Sequence, residues 1–231
     1  MDHLTNDLGQ PIGLPVDRAF PRPRPTHEPL TGRFCTLTAT REDHAQALLA
    51  AFAEDTSGAG WTYLPNAPWH GIDDAQAFCR MAQGSADPMF YTITDDHGVI
   101  SGFCSLLRIA PEVGSIEVGF IHFAPRLQKT PAATEALFLL IDHAMTDLGY
   151  RRFEWKCDAL NAPSRAAAER LGFTYEGTFR QATLYKGRNR DTAWFSILDG
   201  EWDTLKARFQ RWLSPGNFLE TGHQKRRLKD C

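Results

Sequence analysis

The feature that most constrains the fold is a strand, a helix and a second strand that follow one another in the middle of the chain. Residues 115–123 (SIEVGFIHF) form a strongly apolar segment of strand length. A helical pattern of apolar residues starts at Ala133, and Gly149 is predicted to end that helix. Residues 152–157 (RFEWKC) then have the composition of a buried strand. A β-α-β unit of this kind predicts an α/β protein.

The segments on either side of this unit make the predicted sheet mixed. Residues 89–94 and 99–109 are predicted strands joined by the turn DDHG, and residues 174–185 and 190–198 are predicted strands joined by KGRN. Each pair is typical of an antiparallel hairpin. The full predicted order is β-α-α-β-β-β-α-β-α-β-β-α. This order excludes a doubly wound Rossmann arrangement and favours an α+β fold with a mixed sheet.

The two ends of the chain differ from its central part. Residues 1–30 contain six of the 14 prolines, and proline fixes φ and removes a backbone donor. This Pro-rich arm is therefore predicted to be either a disordered leader or an extended segment lying on the domain. Residues 214–231 contain four Lys or Arg and show no apolar period, which predicts a flexible tail. Residues 31–213 are predicted to form a single domain.

The composition argues against several kinds of partner. The formal net charge of −3 does not suit a protein that binds nucleic acid through its charge. The five cysteines are scattered without a CxxC pair, which predicts reduced, mostly buried thiols. No apolar run approaches the roughly 20 residues that span a bilayer, and the first residues show no signal peptide. We therefore expect a cytoplasmic protein with no membrane partner and, since no His/Cys/Asp cluster has ligand spacing, no metal site.

The segment that joins the central strand to the helix, residues 126–136 (RLQKTPAATEA), has features of an anion-binding helix start. Thr130 is predicted to be the N-cap and Pro131 the first helical residue. The amides of residues 132–134 are then expected to be free at the positive end of the helix dipole, with small side chains that let a phosphate approach. Most capped helix starts bind only water, so this turn by itself leaves both roles open.

These elements, in this order, resemble the GNAT superfamily of N-acetyltransferases, in which the pyrophosphate of acyl-CoA binds the corresponding turn. The family pattern there is Q/R-x-x-G-x-G/A, and Gln128, Pro131 and Ala133 occupy its places, so proline replaces the middle glycine and removes one amide donor. Further motifs resemble the RimJ/RimL-like branch, which acetylates protein N-termini or small amines: GRFCTL, YLPNAPW, IEVGF, N-x-P-S with LGF, YEG and GRNRD. The resemblance covers about residues 31–200.

The resemblance implies acetyl-CoA as the cosubstrate and a central sheet of about seven strands. The family's fourth and fifth strands, here 115–123 and 152–157, are expected to splay apart around the pantetheine arm. Backbone groups at the end of the first of these strands would pair with the pantetheine, and one amide could polarise the thioester carbonyl. The residues expected to hold the cosubstrate are Phe120, Ile121, Phe123, Gln128, Lys129, Thr130, Ala132, Ala133, Thr134, Asn161 and Ser164.

The resemblance also implies candidate catalytic residues. The acceptor amine must lose a proton, and Glu117 on the central strand is the first candidate for the base, with Glu176 in YEG as the second. We expect at most one of them to act. The tyrosine that serves many members as acid falls at Ala168, whereas Ser164 lies one turn earlier on the same helix face and matches a serine of the RimL-like branch. The acceptor pocket is expected to be lined by Trp61, Tyr63 and Trp69.

Two other groups of polar residues have structural explanations. His122 lies on the strand face opposite to its neighbours in FIHF, and a single strand histidine is usually structural. Arg180, Arg188 and Arg190 belong to the last predicted hairpin. They could reach a phosphate or the acceptor, but arginines at hairpin tips are usually solvated.

The sequence therefore predicts an N-acetyltransferase. It would transfer an acetyl group from acetyl-CoA to a primary amine, either a protein N-terminus or a small molecule, by direct attack in a ternary complex. The proline in the pyrophosphate turn and the missing helix tyrosine also fit a non-catalytic module with the GNAT fold that binds acyl-CoA or a small ligand. An unrelated structural α/β protein is a third alternative. The sequence does not identify the acceptor amine, and it leaves a homodimer open.

Overall fold

The computed structural model describes residues 3–231, and residues 1 and 2 of the predicted Pro-rich arm lie outside the described residues. Two short strands in the arm, β1 (Leu4–Thr5) and β2 (Pro11–Ile12), pair with each other. The other strands of the described residues form one sheet. They are β3 (Leu30–Thr31), β4 (Cys35–Ala39), β5 (Met89–Asp95), β6 (Ile100–Ala110), β7 (Ser115–Phe123), β8 (Arg152–Asp158), β9 (Thr174–Tyr185) and β10 (Arg188–Leu198).

The strands of the sheet lie in the order β3-β4-β5-β6-β7-β8-β10-β9. Neighbouring strands are antiparallel except β7 and β8, which are the two strands of the predicted β-α-β unit. The mixed, mostly antiparallel sheet is therefore confirmed. It has eight strands rather than about seven, because the two-residue β3 pairs with β4 at one edge. Two residues are too few to give a period in the sequence.

Helices cover both faces of the sheet. They are α1 (Ala45–Phe52), α2 (Ile72–Gly84), α3 (Pro131–Asp142), α4 (Ala162–Leu171) and α5 (Asp199–Leu213). The extended residue Gly71 precedes α2, and Asp73 lies in the first turn of this helix. None of the helices in residues 3–231 combines the length and apolar character that crossing a membrane requires.

Alternate side chains of the sheet enter two separate apolar layers. Tyr91 and Leu106 pack with α3 and α5 on one face, whereas Phe90 and Phe103 pack with α1 and α2 on the other. Because the inner strands are buried on both faces, they are apolar almost continuously rather than in alternation. The five cysteines are free thiols and four of them are buried, as the sequence predicted.

The two parallel strands separate halfway along their length. Their pairing runs from Ser115 opposite Arg152 to Val118 opposite Trp155, and the described pairing stops there. A bulge in β7 follows at once, where Phe120 has a φ of 47°. Since α3 and α4 each begin shortly after one of these strands ends, both helix N-termini lie at the end where the strands part. The predicted splay is therefore present.

Part of the Pro-rich arm lies on the domain as an extended segment. Arg22 Nε donates a hydrogen bond to the carbonyl oxygen of Leu148 at 3.0 Å, and the hydroxyl of Tyr91 donates to the carbonyl oxygen of Thr26 at 3.1 Å. Gly149 has a φ of 68°, and a Cβ atom at this position would overlap the guanidinium of Arg22. Of the two alternatives left by the sequence, the structure favours the extended segment for this part of the arm.

The C-terminal residues 214–231, for which the sequence predicts a flexible tail, also pack on the domain. Leu228 is only 3% exposed. Asn217 Nδ2 donates to the carbonyl oxygen of Trp212, and Trp212 Nε1 donates to Gln224 Oε1, each at 2.8 Å. The sequence of this segment did not predict the packing, because single apolar residues such as Leu228 do not create a periodic pattern of apolar residues.

Candidate active site

The gap between β7 and β8 opens into a cleft of about 2630 Å³. The ends of these strands, the turn before α3 and the first turns of α4 form one part of its wall. The loop between α1 and α2 and the hairpin of β9 and β10 form another part. The cleft therefore joins most of the segments in which the sequence predicted site residues.

The turn before α3 is a capped helix start, as predicted. Thr130 has extended backbone angles, and its Oγ1 accepts a hydrogen bond from the amide of Ala133 at 3.2 Å, with Pro131 at the first helical position. The expectation that the amides of 132–134 are all free is therefore wrong for Ala133. Lys129 has a φ of 62°, and Gln128 Nε2 donates to the carbonyl oxygen of Phe123 at 2.9 Å. Gln128 thus ties the turn to the end of β7.

A buried carboxylate holds the start of α3 against the edge of the sheet. Glu135 is 4% exposed, and its two oxygens accept the backbone amides of Arg33, Phe34 and Cys35 at 2.9, 2.5 and 2.9 Å. Gly32 is required at the same contact, because a Cβ atom there would overlap the carboxylate. The sequence analysis did not identify this role, because about 100 residues separate Glu135 from the amides it binds.

Arg170 adds a cation to the same end of the cleft. It lies in the last turn of α4, lines the cleft, and donates from Nη2 to Oγ1 of Thr134 at 3.2 Å. The sequence reasoning missed this residue, since its neighbours form an ordinary amphipathic helix. Only the packing of α4 beside α3 brings it to the turn.

Glu117 lies on β7 in the wall of the cleft and is 3% exposed. Its Oε2 atom is 2.7 Å from Arg108 Nη1 and 2.8 Å from Lys156 Nζ. The side chain of Lys156, 7% exposed, also contacts Glu154 at 2.7 Å and lies 3.7 Å from the ring centre of Trp194. Burial raises the pKa of Glu117, while Lys156 and Arg108 oppose that rise. Glu117 is therefore an ionisable group shifted toward proton acceptance at the cleft.

Glu176 is held differently. Arg152 donates to both of its oxygens, at 2.8 and 2.5 Å, and the hydroxyl of Ser196 donates to Oε1 at 2.8 Å. The hydrogen bonds from Arg152 lower the pKa of Glu176. Within residues 3–231, Glu176 is not among the residues that line the cleft, whereas Glu117 is. Of the two candidate bases, the structure brings only Glu117 to the cleft.

Ser164 and Asn161 meet at the start of α4. Asn161 is the N-cap, as predicted, and its Oδ1 accepts the amide of Ser164 at 3.1 Å. The hydroxyl oxygen of Ser164 accepts from Trp155 Nε1 at 3.0 Å, and the same hydroxyl interacts with the thiol of Cys157. Ala168, at the place of the family tyrosine, is fully buried. Ser164 is thus the hydroxyl that this helix presents to the cleft.

The predicted acceptor loop divides between the cleft and the core. Tyr63 lines the cleft, and its hydroxyl donates to the carbonyl oxygen of Leu160 at 3.2 Å. Trp61 and Trp69 instead pack on each other, with ring centres 5.3 Å apart, and both contact Phe52. Of the three aromatic residues, only Tyr63 is among the described residues that line the cleft. Burial of their large apolar rings stabilises the loop on α1.

His122 completes this aromatic cluster. Its ring stacks on Phe52, with ring centres 3.9 Å apart and planes at 5°, and meets Trp61 edge-on at 4.2 Å. Burial lowers its pKa to about 4, so the side chain is neutral at pH 7. These contacts give His122 the structural role that the sequence favoured.

Comparison with known proteins agrees with this geometry. Residues 35–174 match the family described as acetyltransferase (GNAT) domain. A crystal structure of a GCN5-related N-acetyltransferase from Brucella melitensis is 42% identical, with a TM-score of 0.90, and the similarity covers 93% of this chain and 98% of that one. The uncharacterized N-acetyltransferase p20 of Bacillus licheniformis is 30% identical over 145 residues, which are 61% of this chain and 80% of that protein.

A further similarity is one of fold. A structure of RimL, a ribosomal alpha-N-protein acetyltransferase in complex with coenzyme A, is 21% identical with a TM-score of 0.62, covering 74% of this chain and 99% of that one. Proteins of the GNAT fold use acetyl-CoA as the acetyl donor. The family match over more than half of the chain and the Brucella structure over nearly all of it lead to one conclusion: this chain belongs to the GNAT family and is an acetyltransferase.

Proposed function

We propose that the protein transfers the acetyl group of acetyl-CoA to a primary amine by direct attack in a ternary complex. The observation that carries this proposal is the position of Glu117. It is a buried carboxylate with a raised pKa, and it lines the cleft just before the point where β7 and β8 part. A proton acceptor is what an amine nucleophile needs at such a place, because only the neutral amine attacks.

The residues present in the cleft fit acetyl-CoA. The turn of residues 128–134 would hold the diphosphate at the positive end of α3, and Lys129 and Arg170 are cations on the cleft at this turn. The bulged end of β7, from Phe120 to Phe123, has lost its pairing with β8, so its backbone groups are available to the pantetheine arm. Asn161 and Ser164 face the same gap from α4.

Acetyl-CoA supplies the acetyl group as an activated thioester. The amine nitrogen forms a bond to the acetyl carbon, the carbon–sulfur bond breaks, and the electron pair leaves with the sulfur. Glu117, directly or through water, takes the proton that the amine loses. The hydroxyl of Ser164 would donate a hydrogen bond to the leaving thiolate, which then takes a proton from water, and Glu117 returns its proton to the solvent. Lys156 and Arg108 keep Glu117 in place. Overall, an ammonium ion and acetyl-CoA give an acetylated amine, CoA thiol and one proton.

The acceptor class follows in part from the family. Members with known acceptors act on amines, and RimL, which shares this fold, is a ribosomal alpha-N-protein acetyltransferase. A protein N-terminus and a small-molecule amine both remain within this proposal. The loop at residues 59–65 and the hairpin of β9 and β10 border the part of the cleft where the acceptor would enter.

The two candidate bases provide the test. Glu117→Gln keeps the size of the side chain and removes its basicity, and we expect it to lower kcat by about 10²- to 10⁴-fold with little change in acetyl-CoA affinity. Glu176→Gln is the matched control and should retain kcat if it folds. Acetyl-CoA affinity is measured by calorimetry, and CoA release is measured across a panel of amines and N-terminal peptides.

Three results would count against this proposal. A Glu117→Gln enzyme with the kcat of the unmodified protein would remove Glu117 as the base. A large loss of kcat only in Glu176→Gln would assign the role to Glu176. Acetyl-CoA binding without CoA release from any amine would support the non-catalytic binding module instead.

A further inference from the structure

We propose that Arg190 binds a carboxylate group of the acceptor, so that the acceptor is a small amine that carries an acidic group. This inference rests on the proposed acetyl transfer and names the substrate class of the same cleft. Arg190 lies on β10 and lines the cleft. In the sequence, Arg190 is one of three arginines of the last hairpin that could reach a phosphate or the acceptor, although arginines at hairpin tips are usually solvated.

Arg190 is a cation of the cleft wall whose side chain makes no described hydrogen bond or ion pair with residues 3–231. Its Nε atom is buried and makes no hydrogen bond within residues 3–231. Its described contact is with the ring of Tyr185, whose centre is 5.8 Å from the guanidinium carbon. By contrast, Lys156 and Lys186, on the neighbouring strand and hairpin turn, are held by ion pairs and by a backbone carbonyl. A buried donor without an acceptor is costly, and a ligand oxygen would relieve that cost.

Two acidic side chains beside this part of β10, one next to Arg190 in the sequence and one opposite Thr192 in the sheet, accept hydrogen bonds from other donors. Asp191 Oδ1 accepts from the amide of Gln181 at 2.8 Å and from Asn189 Nδ2 at 2.9 Å. Asp158 accepts from the hydroxyl of Tyr185 at 2.8 Å and is 5% exposed. The guanidinium is therefore left for an external anion. Its planar set of donors matches a carboxylate, which can accept two parallel hydrogen bonds.

The backbone sets the direction of Arg190. The pairing of β10 with β9 shifts by a bulge between Arg190 and Thr192, and bulges next to active sites turn a side chain toward a new direction. Thr192 pairs with Asp158, the last residue of β8. Arg190 therefore lies beyond the end of β8, where the gap from β7 is open.

A second unpaired donor lies on the same strand. Trp194 lines the cleft, and its Nε1 atom is buried without a hydrogen-bond partner among residues 3–231. Its ring covers the ammonium group of Lys156, which in turn binds Glu117. The wall between the proposed base and Arg190 thus offers hydrogen-bond donors and few free hydrogen-bond acceptors. Such a wall suits a substrate amine that carries oxygen atoms.

Hydrogen bonds between loops border the part of the cleft near the hairpin of β9 and β10. Lys186 Nζ donates to the carbonyl oxygen of Trp61 at 2.6 Å, which joins the hairpin turn to the loop before α2. The hydroxyl of Tyr63 joins the same loop to Leu160, just before α4. The acceptor that we propose between these loops and Arg190 is a small molecule and not the surface of a folded protein. Thr130 and Arg170 lie at the turn before α3, which is the proposed site of the acetyl-CoA phosphates. Arg190 is therefore not needed to bind those phosphates.

The first experiment compares acceptors that differ only in the acidic group. CoA release is measured with the standard L-amino acids and short ω-amino acids, and with the matching amides and alkylamines. We expect kcat/KM to be at least about 10-fold higher for the carboxylates, and Arg190→Gln to remove this advantage. Arg188→Gln is the matched control. Arg188 has the same charge and the same 5.8 Å distance to the Tyr185 ring, but it is exposed.

The outcomes separate this inference from the proposed function. The KM for acetyl-CoA should not change in either variant. Three results would overturn the inference while leaving acetyl transfer intact. The first is an equal kcat/KM for amides and carboxylates, and the second is an equal effect of the two substitutions. The third is acetylation of peptides but of no free amino acid. Absence of acetyl-CoA binding would instead overturn the proposed function.

A binding measurement decides the case in which no tested amine is acetylated. The side-chain Nε–H resonances of ¹⁵N-labelled protein are followed by NMR during titration with butyrate, and Arg190→Gln assigns the relevant signal. We expect the Arg190 signal to shift at lower butyrate concentration than the Arg188 signal, and not to shift with butylamine. Equal responses of the two arginines would show that Arg190 has no carboxylate site.

Discussion

The titratable side chains around the cleft differ mainly in what surrounds them. Glu117 and His122 lie on the same strand, and both are almost fully buried. Two cations compensate the charge of Glu117, and they oppose the rise in its pKa that burial causes. His122 has aromatic rings around it and Asp55 as a more distant carboxylate, so burial dominates and its pKa falls to about 4. The protonation of a buried polar residue on this strand therefore depends on whether a charged partner lies beside it.

The lowered pKa of His122 predicts acid sensitivity of the fold. Between pH 6.5 and about pH 4 the unfolded chain takes up a proton on this residue and the folded chain does not, so stability falls as the pH is lowered through that window. We expect the proton uptake linked to His122 to lower the unfolding free energy by about 2 kcal/mol between pH 6.5 and pH 5. His122→Phe keeps an aromatic ring against Phe52 and has no proton to bind.

This prediction is checked by urea unfolding of both proteins at pH 7 and pH 5. Other groups titrate equally in the two proteins, so the difference between their losses isolates His122. The same loss of unfolding free energy in both would contradict the pKa assigned to His122.

At the scale of elements, the position of α3 depends on one carboxylate and not on its cap alone. The cap of Thr130 and Pro131 starts the helix locally, but the three amides bound by Glu135 fix it against the beginning of β4. The anion-binding property proposed for the turn therefore depends on a contact between residues far apart in the sequence.

Glu135→Ala should destabilise the protein and weaken acetyl-CoA binding together. It leaves buried amides without an acceptor, which we expect to cost about 3 kcal/mol or more of unfolding free energy. The start of α3 then loses its anchor, so the affinity for acetyl-CoA should fall as well. Thermal unfolding and calorimetry measure the two effects. Glu169→Ala, an exposed glutamate on α4, is the control and should change neither, and a stable Glu135→Ala protein would refute the anchoring role.

At the scale of the whole molecule, both chain ends contribute to the domain. The arm runs along the domain through Arg22 and Thr26, and the C-terminal residues pack through Asn217 and Leu228. Residues 31–213 remain our proposed limits for the catalytic domain, but its stability depends on segments outside those limits. These contacts use backbone carbonyls and single side chains, which leave no periodic pattern in the sequence.

Two deletions distinguish the docked part of the arm from the exposed part. Removal of residues 1–19 loses the β1–β2 pair and the exposed ion pair of Arg18 with Asp199, and we expect the Tm to change by no more than about 2 °C. Removal of residues 1–28 also deprives the buried Tyr91 hydroxyl of its carbonyl acceptor and removes Arg22, and it should lower the Tm by about 5 °C. Calorimetry of the two truncated proteins measures this, and equal Tm values would contradict docking of the arm.

The features that depend on neighbouring residues could be predicted from the sequence. Apolar periodicity predicted the strands and helices and the β-α-β unit, and local capping chemistry predicted Thr130 and Asn161 as N-caps. Motif order along the chain was enough to identify the family. Preferences for secondary structure and helix capping act over a few neighbouring residues, so a single sequence is enough to predict them.

Which side chains share the cleft depends on how distant segments pack in three dimensions. This packing turned Glu176 toward Arg152, set Trp61 and Trp69 against Phe52, and brought Arg170 and Arg190 into the wall of the cleft. Each of these outcomes depends on how strands and helices far apart in the chain pack together. Burial and the nearest charge then set the state of each group, and these surroundings exist only once the chain is folded.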